Sequence, residues 1–287
     1  MQRFTSIHEL RTAIAAWRAA HPEGTVGFVP TMGFLHEGHA SLIRRCAAEN
    51  GLTIVSVFVN PLQFGPNEDF ESYPRNAERD GEISEQAGAD MLFMPEAAEM
   101  YPKPVATKVI ITELTDRLCG ASRPGHFDGV GTVVSKLFHI VLPDAAYFGL
   151  KDAQQVAVIE RMTEDLNIPV RIVPCETVRE PDGLAMSSRN VYLSPEEREQ
   201  AVVLSASLAK ASEWLREESL TAAELRRRVA ASIRTAPLAD IDYAEVLTYP
   251  DLAVPTEGEP LRGGRYIIAL AVRFGRTRLI DNRIYEL

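Results

Sequence analysis

The sequence predicts an α/β protein: a doubly wound parallel sheet over residues 1–176, followed by a smaller α+β domain over 177–287. Three observations predict it. Short strand-like runs alternate with amphipathic, helix-like runs through the first 175 residues. One of those runs, LTIVSVFVNP (52–61), is apolar nearly throughout, as expected of a strand covered on both faces. After Glu176 the alternation stops, and two helical stretches lead into long strand-like segments.

The chain opens on MQRFTSIHELRTAIAAWRAA, which reads as an amphipathic helix with Leu10, Ile14 and Trp17 on one face. TVGFVP (25–30) is a short β-rich run, and HASLIRRCAAEN (39–50) a helix with Asn50-Gly51 as its stop. After the apolar strand come a polar helix near 76–86 and the strand ADMLFMP (89–95). A less regular stretch precedes the helix GVGTVVSKLFHIVLP (129–143). The strand AAYFGL, the helix DAQQVAVIERMTEDLN and the strand PVRIVP follow. Helices over about 195–217 and 221–234 then lead to IDYAEVLTYP and RYIIALAVRFGRTRLIDNRIYEL. These last two read as antiparallel strands joined by turns around Pro250 and Gly263-Gly264.

Composition narrows the function. With 30 basic and 40 acidic residues the net charge is −10, which lacks the basic footprint of a nucleic-acid binder. No apolar run approaches the roughly 20 residues of a membrane span, and the amino terminus lacks the apolar core of a secretory signal. A cytoplasmic protein with small-molecule partners is expected. Cys46, Cys119 and Cys175 are scattered, form no CxxC pair, and read as small, apolar residues.

The stretch VPTMGFLHEGH (29–39) carries the first chemical signal. His36 and His39 stand three apart at a strand-to-helix turn, around Glu37-Gly38. A zinc site fits poorly, because the zincin pattern spaces its histidines four apart and no third ligand stands out here. Two readings remain open on these residues: ordinary helix-start residues, or imidazole donors to a phosphate bound where helix N–H groups attract anions. Neither the dinucleotide fingerprint nor the P-loop pattern is present.

Other stretches add donors at strand ends. FGLKDAQQ (148–155) ends a strand and opens a helix; Asp152 suits an N-cap with Gln155 completing a box, while Lys151 offers a cation to phosphate. GLAMSSRN (183–190) is either a polar loop before a helix capped by Ser194, with Pro195 at N1, or a phosphate clamp of Ser187, Ser188 and Arg189. FVNPLQFG (58–65) ends a strand with the amides Asn60 and Gln63. RPGHFDGV (123–130) holds Arg123, His126 and Asp128, but no nucleophile elbow accompanies them to make a triad.

In order, PTMGFLHEGH, FVNPLQFG, YPRNAERD, RPGHFDGV, FGLKDAQQ and MSSRN resemble the pantothenate synthetase family, the AMP-forming pantoate–β-alanine ligases. The resemblance runs from about Thr25 to Ser194. It implies a Rossmann-like domain of the HxGH nucleotidyltransferase type, a lid-like carboxyl-terminal domain and a homodimer. The implied reaction joins pantoate to β-alanine with ATP and Mg²⁺ through a pantoyl adenylate. Carried over, Met32, Gly33, Phe34, Leu35, His36, Glu37, Gly38 and His39 line the ATP phosphates, His39 being the proton donor. Gly149, Leu150, Lys151 and Asp152 contact ATP, Val178 meets the adenine, and Met186, Ser187, Ser188 and Arg189 close on the triphosphate. Gln63 and Gln155 hold pantoate, Gln63 also touches β-alanine, and Val134 and Leu137 wall the gem-dimethyl group. Asp80 is expected near Mg²⁺. Ala153 and Leu150 depart from the family's usual aromatic and polar residues, which predicts shifted affinity rather than lost activity. The alternatives are another HxGH nucleotidyltransferase and a non-catalytic nucleotide sensor. A class I synthetase fits less well, since MSSRN lacks that class's loop lysines.

Overall fold

The computed structural model of the chain describes residues 1–66, 68 and 70–287. Six strands form one all-parallel sheet: β1 (Gln2–Phe4), β2 (Val26–Thr31), β3 (Leu52–Val57), β4 (Met91–Phe93), β5 (Ala145–Gly149) and β6 (Arg171–Cys175). Their order across the sheet is β1-β4-β3-β2-β5-β6. From β2 the chain winds outward through β3 and β4 on one side, then returns to place β5 and β6 on the other. The expected doubly wound sheet is therefore present, with its direction of winding reversing between β2 and β5.

Consecutive strand residues point to opposite faces, so both faces need cover. Phe28, Leu52, Ile54 and Phe148 belong to one core with α1 (Ile7–Ala20), α6 (His126–Val141) and α7 (Ala153–Asp165). Val29, Val55, Leu92, Tyr147 and Val173 face the other side, against Leu42, Ile43 and Cys46 of α2 (Glu37–Glu49) and Ile83 of α3 (Ala77–Gln86). Phe28, Leu92 and Tyr147 are fully buried, and burying such a side chain contributes about 1.5–3 kcal/mol. Two short helices, α4 (Ala97–Met100) and α5 (Leu118–Ser122), lie in the irregular stretch before α6.

The carboxyl-terminal part packs α8 (Pro195–Ala201), α9 (Val203–Trp214) and α10 (Ala222–Ile233) on an antiparallel sheet ordered β7-β8-β9. Its strands are β7 (Ala239–Thr248), β8 (Arg265–Phe274) and β9 (Thr277–Glu286). Leu208, Leu225, Val229, Leu270 and Phe274 belong to its core. Leu247 and Ile267 instead join the core of the first unit, which couples the two parts through packed side chains.

Four local readings are corrected. The amino terminus is not helical from its start: Gln2–Phe4 pairs with Met91–Phe93, and α1 begins at Ile7. The stretch expected as one helix over 195–217 breaks between Ala201 and Val203. The final run holds two strands, with Phe274 paired to Thr277 across a Gly275-Arg276 turn, and Gly275 in the left-handed region at φ +56°. Asp152 stands at the N-cap of α7 without a side-chain capping bond, so no box forms with Gln155. The cap at Ser194 does form, reciprocally with Glu197, and Pro195 sits in the first turn.

Candidate active site

Ligands in open α/β sheets bind beyond the carboxyl ends of the strands, where the winding reverses. Here that crevice opens between β2 and β5. β2 delivers the Met32–His36 loop, and β5 delivers the tight turn Leu150–Asp152. β3 contributes Pro61–Gln63, and β6 the segment 176–178. Together they enclose a cavity of about 240 Å³.

His36 and His39 meet there, ring centroids 4.2 Å apart. His36 is the N-cap of α2, and its Nδ1 accepts the Gly38 N–H at 3.1 Å. His39 Nδ1 accepts the His36 N–H at 3.3 Å. Both Nδ1 atoms are thus acceptors, which makes each ring an Nε2–H tautomer while neutral. Burial, then the charges of Lys151 and Arg79, lowers the His36 pKa to about 4. Burial, His36 and Lys151 lower that of His39 to about 3. The helix-start reading is seen directly: the Nδ1 atoms take the backbone N–H groups at the start of α2, and in the neutral rings the proton stays on Nε2. Gly38 does not interrupt α2 but is part of its first turn, and any Cβ on it would lie 2.8 Å from the His36 ring.

The loop before the histidines is braced from below. Asp80 is 1% exposed; its Oδ2 accepts the Phe34 N–H at 2.9 Å and its Oδ1 the Leu35 N–H at 2.7 Å. Phe34 holds φ at +52°, a costly conformation for a side-chain-bearing residue, so this brace fixes the loop. The expectation of a Mg²⁺ ligand at Asp80 is corrected accordingly: both oxygens serve backbone amides, and the carboxylate is absent from the cavity wall.

The opposite wall is apolar and amide-bearing. Val130, Val133, Val134 and Leu137 project from α6, with Gln63 and Gln155 nearby in the lining. Asn60 orients Gln63: its Nδ2 donates to Gln63 Oε1 at 3.0 Å and to the Gly129 carbonyl at 3.1 Å. A Cβ on Gly129 would lie 2.2 Å from the Leu62 carbonyl oxygen, so α6 reaches this segment only because residue 129 is glycine.

Met186, Ser187, Ser188 and Arg189 close the third side. Ser187 Oγ accepts the Arg189 N–H at 3.2 Å, and Asn190 Nδ2 donates to Glu180 Oε1 at 2.8 Å. Glu180 also takes Arg198 Nη2 at 2.5 Å. Asn282, from β9, donates to the carbonyls of Leu150 and Lys151, both at 2.9 Å, and so ties the Lys151 turn to the second unit.

Of the residues expected from the sequence, Met32, His36, Gly38, His39, Gly149, Lys151 and Asp152 line this one cavity. So do Val178, Met186 to Arg189, Gln63, Gln155, Val134 and Leu137. Gly33, Phe34, Leu35, Glu37 and Leu150 lie in the same segments but not in its wall. Ala153, one of the departures, is buried and lines a second, larger cavity of about 840 Å³. Arg123, His126, Lys151, Asp152, Gln155, Ser187 and Arg189 line both cavities. Sequence reasoning does not place Arg123 and His126 in the wall, although RPGHFDGV stands out as a motif; Asn60 and Asn282 need contacts from distant segments.

The sequence profile of the family described as pantoate-beta-alanine ligase matches residues 2–284. A pantothenate synthetase of Geobacillus thermodenitrificans is 58% identical over 95% of this chain and 93% of its own. One of Heliobacterium modesticaldum is 54% identical over all of both chains. The crystal structure of pantothenate synthetase from Thermus thermophilus superposes with a TM-score of 0.88 at 47% identity, covering 99% of each chain. A pantoate-beta-alanine ligase from Francisella tularensis, complexed with beta-gamma ATP and β-alanine, gives 0.76 at 34% identity over 99% of this chain and 97% of that one. The chain belongs to the pantoate–β-alanine ligase family.

Proposed function

We propose that this chain is the ligase that condenses (R)-pantoate with β-alanine, using ATP and passing through a pantoyl adenylate. In the first step a pantoate carboxylate oxygen attacks the α-phosphorus of ATP, the α–β bridging bond breaks and pyrophosphate leaves. In the second the β-alanine amine attacks the acyl carbon, the acyl C–O bond breaks, AMP leaves and the amine loses a proton. The observation that carries the reading is a single cavity with a donor-rich phosphate wall on one side and an apolar, amide-bearing wall on the other.

Displacement at phosphorus is governed by positioning and charge stabilisation rather than covalent help. Neutral His36 and His39 suit that chemistry, since each Nε2–H donates without needing an added proton. Lys151 and Arg189 supply positive charge to the departing pyrophosphate. We read His39 as the donor nearest the reacting phosphate, His36 as its neighbour, and Lys151 as the third catalytic group. Val178 suits the adenine, Met186 to Arg189 the triphosphate, Gln63 and Gln155 the pantoate hydroxyls and Val134 with Leu137 its methyls. Residues 177–287 form the lid in this reading, with 1–176 the substrate platform; excluding water protects the adenylate from hydrolysis.

Among the described residues no group of three His, Cys, Asp or Glu could hold a metal ion, and the phosphate wall is mostly neutral or cationic. Mg²⁺ therefore fits as part of the MgATP substrate, carried on phosphate oxygens with Asp152 and Glu176 the wall's carboxylates. Magnesium there neutralises phosphate charge. We extend the reading to a cytoplasmic homodimer, as the family resemblance implies; no helix among the described residues is long and apolar enough to cross a membrane.

The test mixes protein, MgATP and pantoate, then follows pyrophosphate and AMP with and without β-alanine. A stoichiometric pyrophosphate burst that becomes sustained AMP release only with β-alanine supports the two-step ligase. AMP release independent of β-alanine, or silence from protein that still binds ATP, contradicts it.

A further inference from the structure

Arg123 stands just before α6, in the wall shared by the two cavities. One edge of its guanidinium is taken by a carboxylate of the chain itself: Nε donates to Glu68 Oε1 at 2.8 Å and Nη2 to Glu68 Oε2 at 2.5 Å. Its Nη1 donates to His126 Nε2 at 3.1 Å, which leaves the proton on His126 Nδ1, donated to the Gln63 carbonyl at 2.9 Å. Nη2 also reaches that carbonyl, at 3.4 Å. The guanidinium is therefore aimed by His126 and lies beside the residue whose side chain faces both substrates in the ligase reading.

That reading, on which this inference rests, leaves one carboxylate unaccounted for. Pantoate's is consumed as the acyl group, whereas the carboxylate of β-alanine is never activated and must be held while the amine attacks. A buried carboxylate without a partner is costly, and the planar fork of arginine matches it bidentately. We propose that Arg123 is the carboxylate-binding residue of the β-alanine subsite, and that Glu68 occupies it as an internal stand-in which the substrate displaces.

Three features support the exchange. The Arg123 and Glu68 side chains are 22% and 25% exposed, so Glu68 can swing out to water once replaced. Trading one carboxylate for another leaves the guanidinium paired before and after, which avoids a stranded buried charge. The N-terminus of the sixteen-residue α6 carries no side-chain cap at Gly125, and its dipole adds attraction for an anion at the same place. A carboxylate already in the fork also discourages pantoate from docking there in the first step.

The experiment separates the two half-reactions in Arg123→Ala, Arg123→Lys and Glu68→Gln. Pantoate-dependent ATP–pyrophosphate exchange, without β-alanine, reads the first. AMP release with β-alanine, or with propylamine, which has no carboxylate, reads the second. Expected for Arg123→Ala is a KM for β-alanine that rises at least about tenfold more than exchange falls, and loss of the preference for β-alanine over propylamine. Arg123→Lys, which keeps charge without the fork, is expected between it and wild type. Glu68→Gln moves the other way, lowering the KM for β-alanine by about threefold or more. Equal increases from Arg123→Ala and Glu68→Gln make the pair a mere brace and overturn the proposal. Damage concentrated in exchange assigns Arg123 to phosphate and overturns it too. Absence of exchange in the wild-type enzyme rejects the ligase reading itself, a different failure. If Arg123→Ala does not fold, Arg123→Lys and Glu68→Gln still decide.

Discussion

The two long walls of the cavity are held in different ways. On the histidine side, His36 and His39 are fixed by neutral hydrogen bonds to backbone N–H groups, and the loop before them by a buried carboxylate on two amides. On the far side, Arg123–Glu68 is an ion pair with about a quarter of each side chain still in solvent. Neutral donors locked to backbone keep one protonation state and one direction. Partly solvated ion pairs can exchange partners. Under the proposed ligase reading, the contrast suits a site that meets the same triphosphate every turnover on one wall, yet admits, joins and releases small substrates on the other.

The sharpest way to break the contrast is to remove donors from the histidine side. His39→Ala and Lys151→Ala are each expected to slow adenylate formation by at least about 100-fold, the range for charge stabilisers and acid–base groups. Pyrophosphate release within a few fold of wild type would reject their placement. Next comes the backbone that aims them. Gly38→Ala puts a methyl 2.8 Å from the His36 ring and is expected to cost roughly tenfold in the same step, as expected when a catalytic group is misplaced. Gly129→Ala presses on the Leu62 carbonyl and should instead raise the KM for pantoate through Gln63. An equal effect of both on the ATP-dependent burst would erase the distinction between the walls.

A separate effect is on the pH dependence of stability. His36, His39 and His126 all have pKa values lowered by burial, to about 4, 3 and 4. Unfolded, each binds its proton near pH 6.5, so between there and about 4 the unfolded chain holds more protons. Stability then falls as pH falls through that window, by up to about 1.4 kcal/mol per pH unit for each histidine. Above pH 6.5 these groups contribute no slope. Urea titrations at pH 7, 6 and 5 read this directly, and equal stability at all three contradicts it.

Much of the molecule is legible in the sequence because the informative residues lie next to strand ends. A continuous apolar strand announces a parallel sheet, and a motif on the turn that follows is carried to the crevice by topology alone. HEGH and Lys151 can be placed that way. The features that stay hidden depend on distance along the chain. Asp80 reads as a spare carboxylate until Phe34 and Leu35, some 45 residues away, are seen to take both its oxygens. Arg123 finds Glu68 across 55 residues, and Asn282 reaches back to Leu150 across 132. β1 has only three residues, too few to show a period, and the hairpin turn at Gly275 is a single glycine among Arg273, Arg276 and Arg278, with no second turn residue beside it.

The most direct test of the fixed wall is the state of its two imidazoles in solution. Nitrogen-15 NMR of histidine-labelled protein, titrated from pH 8 to 5.5, reads protonation and tautomer at each ring. His36 and His39 are expected to stay neutral throughout, with the proton on Nε2. An imidazolium forming near pH 6.5 at either ring, or a proton resting on Nδ1, contradicts the backbone-capped, neutral-donor site.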